Sequence, residues 1–109
     1  MTVRFLAIPC HSEHTLFSMH IASLHCRLRV RESRTLKDKR QVVRSLVDKL
    51  RSSFHVAAAE VGHLEDIKVI ELGIAAVGAE SEPLNGLMQK IQDALRAHPV
   101  AEYLGGEIG

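Results

Sequence analysis

The chain has no tryptophan, one tyrosine and three phenylalanines among 109 residues. That scarcity argues against single-stranded nucleic-acid platforms, in which splayed bases stack on exposed aromatic rings. Only two cysteines are present, Cys10 and Cys26, so no disulfide framework holds the fold. No stretch approaches the roughly 18 apolar residues that a bilayer-spanning helix needs. Near the start the only candidate apolar segment is Phe5 to Ile8, too short for a signal-peptide core, and Pro9 before Cys10 spoils a lipoprotein-type cleavage site. A cytoplasmic location and no membrane partner are the expectations. Also missing are a KH-type G-x-x-G loop, a phosphate-cradling P-loop and paired carboxylates at glycosidase-like spacing. The chain is therefore expected not to be an enzyme and to carry no cofactor.

What is present fits one globular domain with a modest core, at 46% hydrophobic and 25% charged residues. The formal net charge of +1 conceals a division. Residues 1–53 hold 11 Lys and Arg against Glu13, Glu32, Asp38 and Asp48, a net of +7. Residues 54–109 hold Lys68, Lys90 and Arg96 against nine acids, a net of −6. Such a split suits a basic face for an anionic partner, or two complementary faces that meet in a homo-oligomer.

Residues 1–18 show no sustained period and mix Pro9, His11, Ser12 and His14, so they are expected to form a weakly ordered extension, leaving 19–109 as the single domain. From Met19 the pattern alternates, with Ala22, Leu24, Cys26, Leu28 and Val30 on one side and Ser23, His25, Arg27 and Arg29 on the other, which predicts a half-buried strand. A helix follows over about Leu36 to Ser53. Thr35 is its N-cap, Asp38 completes a capping box, and Leu36, Val43, Leu46, Val47 and Leu50 form its apolar arc. A second strand is expected over about Phe54 to Val61, then a hairpin loop over 62–66 and a third strand over about Lys68 to Ala79. The second helix starts near Ser81 with Pro83 in its first turn and ends before Pro99, with Leu84, Leu87, Met88, Ile91 and Leu95 at helical spacing. A short edge strand near Glu102 to Ile108 closes the chain, weakened by Gly105 and Gly106. The order βαββαβ predicts an α+β, ferredoxin-like sandwich: an antiparallel sheet with both helices on one face.

Several blocks also carry a family resemblance: Thr35-Leu36-Lys37-Asp38-Lys39-Arg40, Val42-Val43-Arg44-Ser45-Leu46, Phe54-His55-Val56, Ala59-Glu60-Val61-Gly62 and Leu72-Gly73-Ile74-Ala75-Ala76-Val77. Over Met19 to Ile108, about five-sixths of the chain, the sequence resembles the YlxP-like family of small bacterial proteins. That resemblance implies a ferredoxin-like fold and no assigned activity. Its members are often encoded beside translation-initiation and ribosome-maturation factors, which implies a link to translation by association alone. Members usually begin at the first strand, as Met19 would here, so residues 1–18 are expected to reflect an early start codon. Relatives often carry a large aromatic residue before the third strand, where this chain has Ile67.

Four candidate sites remain to be weighed. Lys37, Arg40, Arg44 and Arg51 fall within about 60° on the helical wheel, beside the buried arc and interrupted only by Asp48. The stripe suits the phosphates of RNA or a ribosomal particle; the plainer reading is a solvated helix face. Lys39 lies on the core side of the wheel, where snorkelling past the sheet edge is the first expectation and a ligand contact the second. Glu60 ends an apolar row, set there to bond the Gly62 turn or a helix N-terminus, or to serve as a ligand contact or general base. The outer sheet face places Val69, Ala75 and Val77 beside His25, Arg27 and Arg29, a surface with enough aliphatic area for self-association as a homodimer. Cys10, His11 and His14 make a weak metal signal without a fourth ligand, so no metal site is assigned. His25 and Cys26 point to opposite faces and do not form an activated thiol pair. The expected function is that of an accessory protein bound to RNA or the ribosome through the first helix. The alternative is a regulatory or structural module that binds a metabolite or protein partner as a homo-oligomer.

Overall fold

The computed structural model describes residues 18–109. The 1–18 extension, with Cys10, His11 and His14, thus lies outside the described residues except for Ser18, whose hydroxyl donates to the Ala79 carbonyl at 3.2 Å. The elements are β1 (His20–Arg29), α1 (Leu36–Phe54), β2 (Ala57–Gly62), β3 (Val69–Gly78), α2 (Ser81–Arg96) and β4 (Glu102–Ile108). The strands form one antiparallel sheet in the order β2-β3-β1-β4, the ferredoxin-like arrangement.

Alternation decides which face is covered. Ala22, Leu24, Cys26 and Leu28 of β1 and Ile70, Leu72 and Ile74 of β3 are at most 4% exposed, while their neighbours in sequence face outward. Against this inner face lie Val43, Leu46, Val47 and Leu50 of α1 and Leu84, Met88, Ile91 and Leu95 of α2. Truncating a fully buried member such as Leu28 or Ile70 to alanine would cost about 2–5 kcal/mol, because the packed layers collapse only partly around the hole.

The Thr35 hydroxyl accepts from the Asp38 N–H at 3.0 Å and Asp38 accepts from the Thr35 N–H at 3.2 Å, so the capping box forms as expected. At the other end the structure differs from the sequence reading. Phe54 is the last residue of α1 and not the first of a strand. Its ring packs on the core from the helix, and the chain turns only at His55, which takes the left-handed conformation at φ 55° and donates its N–H to the Arg51 carbonyl. Core packing overrides the strand preference of an aromatic residue. β2 is correspondingly short and begins at Ala57, leaving Ala76 to Gly78 of β3 without a β2 neighbour. β4 is the opposite edge, and its register with β1 shifts between Arg27 and Leu28, where Gly105 takes a φ of 142°.

Candidate functional site

Two lysines hold the end of the sheet from which α1 departs. Lys39 is fully buried; its ammonium donates to the Glu60 carboxylate and, at 2.8 Å, to the His63 carbonyl. Snorkelling is therefore corrected, and Glu60 bonds neither the Gly62 turn nor a helix N-terminus. The two residues suspected separately as ligand contacts bind each other, which neutralises a charge in the core. Lys68 donates to the carbonyls of Arg31 at 2.7 Å and Ser33 at 2.9 Å, tying the β1–α1 loop to the start of β3. Asp66 caps the same corner by accepting the Lys68 and Val69 N–H groups, each at 2.8 Å. The Val69 and Lys68 amides hold its carboxyl below the usual carboxylate range. The β2–β3 loop is thus clamped against the first turn of α1.

That clamp sets the direction of the basic stripe. Lys37, Arg40, Arg44 and Arg51 are all exposed. Lys49 and Phe54 on another side of α1 line the crevice shared with Ala94 of α2 and with His98 just beyond that helix, so the stripe looks away from α2 and along the free edge of β2. Arg51 donates to the Ala58 carbonyl on that edge at 2.9 Å, and Arg40 stands 4.0 Å from Glu65 in the β2–β3 loop. Lys37 and Arg44 make no side-chain hydrogen bond or ion pair among the described residues. From Lys37 to Arg51 the line runs about 21 Å along the helix.

The uncovered face of the sheet has two halves. In the polar half, His25 and His63 both face the Glu71 carboxylate, His63 Nε2 at 3.2 Å. Gly62 leaves room for this cluster, since a Cβ there would come within 2.6 Å of Glu71 Oε1. Alternation alone places His25 and Glu71 on one face; His63 joins them from a left-handed turn residue, φ 53°, that carries no sequence signal. Arg29 pairs in register with Val69 on one side and Glu102 on the other. In the apolar half, Ile21 stands directly opposite Val77, which is 63% exposed. Next to that pair, Ala57, Ala75 and Ser23 lie in one row across three strands, and Ala59 and Gly73 begin the following row. Two shallow hollows of about 540 and 590 Å³ adjoin this half and share Ala57 and Ala75 as walls, the first reaching past the start of β2 to Leu87 of α2 and the second to Arg51 of α1 at the β2 edge. Val69 sits apart from Ala75 and Val77, half-buried at the far end of β3 beside Arg29.

Among the described residues, reactive groups are sparse. Burial pushes the Cys26 thiol up to about 12, so it stays protonated and inert. Among the described residues no group of three or more His, Cys, Asp or Glu converges to hold a metal ion, and no buried side-chain polar atom lacks a partner. Nor is any helix there long and apolar enough to cross a membrane.

Fold and surface define a small α+β protein of the ferredoxin-like type, offering an exposed cationic line and an open sheet face. The chain belongs to the family described as "Protein of unknown function (DUF503)", which matches residues 21–108. No curated protein matches it.

Proposed function

We propose that this protein is a non-enzymatic, cytoplasmic accessory factor of the YlxP-like kind that binds RNA, as free RNA or within a ribosomal particle, through the stripe on α1. One observation carries the reading: Lys37, Arg40, Arg44 and Arg51 stand exposed in a line of about 21 Å beside the β2 edge, two of them without a side-chain partner among the described residues. Phosphate charge is the natural target. The stripe carries no aromatic side chain for stacking, and the single tyrosine, Tyr103, is engaged with Gln92 at 2.7 Å on the inner side of the sheet. The acids Asp48 and Glu65 bordering the line reduce its field without covering Arg44.

The test is sedimentation of the full chain with ribosomal particles through a sucrose gradient at low salt. Wild-type protein is expected to travel with the particles and Arg40→Ala/Arg44→Ala to remain at the top. Equal behaviour of the two proteins contradicts the assignment to the stripe.

A further inference from the structure

The geometry points to the apolar half of the open sheet face as a docking surface for a second copy of this chain, the Ile21–Val77 ridge of each copy seated in the small-residue trough of the other. This inference concerns the side of the sheet away from α1 and does not depend on RNA binding.

A two-fold interface must present both members of every contact on one surface. This face does so. The ridge is the directly paired Ile21 and Val77, 42% and 63% exposed. The trough is the adjacent row of Ala57, Ala75 and Ser23, closed further on by the Val61 side chain, which lies over Gly73. Ridge and trough are successive same-face rows, about 7 Å apart along the strands. A two-fold axis running across the strands between them therefore lays each ridge into the partner's trough with no rearrangement of either copy.

Three further features select a copy of the chain over a small ligand. The hollows are open and shallow, and apart from His25, His55 and Arg51 at their margins their walls are alanine, glycine, serine and aliphatic side chains, which gives an apolar molecule little to orient it. Charges that would repel in a symmetric pair, Arg27 and Arg29, lie in rows beyond the trough and stay outside the overlap. The overlap also has a definite size. Four residue rows by two to four strands cover on the order of 400 Å² of plane per copy, at the low end of specific interfaces, so the dimer is weak and concentration-dependent. Lys37, Arg40 and Arg44 of each α1 stripe stay clear of the overlap, and Arg51 borders it.

Sedimentation-velocity ultracentrifugation of the full chain over a wide concentration range tests this. Wild type is expected to pass from monomer to dimer in the micromolar to sub-millimolar range. Val77→Lys removes the ridge and Ala75→Leu fills the trough, and each is expected to weaken association at least tenfold. Arg29→Ala, outside the overlap, should leave it unchanged. A parallel thermal melt confirms that the variants are folded; should Ala75→Leu fail to fold, the exposed Val77 position decides alone. A wild type that stays monomeric throughout, or a dimer indifferent to Val77→Lys, overturns the inference.

Discussion

Replacing Lys39 by methionine tests how the α1 end of the sheet is held. Its ammonium is fully buried and satisfies the Glu60 carboxylate, itself only 14% exposed, together with the His63 carbonyl. Lys39→Met keeps the aliphatic stem but strands Glu60 in a poorly solvated place. Breaking one side of a buried pair costs about 3–5 kcal/mol, and the residual exposure of Glu60 puts the lower figure here. With an unfolding entropy of about 2.1 cal/mol/K per residue over the described domain, that loss lowers Tm by roughly 15 °C. Converting both partners, Lys39→Met with Glu60→Leu, removes the stranded charge and should return stability to within about 1–2 kcal/mol of wild type, the remainder reflecting the His63 carbonyl. Thermal and urea unfolding followed by circular dichroism supply the double-mutant cycle. A loss below about 1 kcal/mol for Lys39→Met, or strictly additive single variants, refutes the reading of this pair as a coupled unit.

Two other outcomes concern Cys26 and the response to acid. Cys26, with its thiol raised to about 12 by burial, should resist thiol-specific labelling in native buffer and react on unfolding; mass spectrometry that finds rapid native modification at Cys26 contradicts its placement. Acid should destabilise the fold through three groups. The Arg34 backbone N–H, with support from Thr35, lowers the Asp38 pKa, and the Val69 and Lys68 N–H groups lower that of Asp66. His98 is lowered by burial and then by Lys49, and its Nδ1 accepts from the Val100 and Ala101 N–H groups. In each case the folded value lies below the unfolded one. The stabilisation is therefore complete above the unfolded pKa, about 6.5 for His98 and about 4 for the aspartates, and is lost as pH falls through the depressed folded values. Tm measured from pH 7 to pH 3 should fall, less steeply in Asp66→Asn; a flat profile or an unchanged Asp66→Asn slope contradicts it.

Periodicity made most of the fold legible, because half-buried strands and one-sided helices write their burial into the chain. β1 alternates at every position from Ala22 to Arg29, and the α1 arc was readable from five aliphatic residues. What failed depended on partners remote in sequence. Phe54 belongs to the helix because of what its ring meets, which no local preference records. Lys39 carried a signal in its core-side wheel position, but its meaning lay in Glu60, 21 residues on. For the surface sites, the stripe was legible as an arc on α1, yet its course along the β2 edge and the engagement of Arg51 with Ala58 required the packed sheet. Strand period alone groups Val69 with Ala75 and Val77; the register places it beside Arg29, away from the apolar half.

The central claim is that α1 meets phosphates, and a salt titration of RNA affinity tests it most directly. Wild type and Arg40→Ala/Arg44→Ala are compared on a structured and a single-stranded RNA, with log affinity plotted against log salt. Each phosphate contact contributes a slope of about 0.7 to 0.9, so losing two should flatten the dependence by about 1.4 to 1.8, to a similar degree on unrelated sequences. Folding stability should barely change, since both side chains are exposed. No binding by wild type at low salt, or identical slopes for the two proteins, would contradict the account.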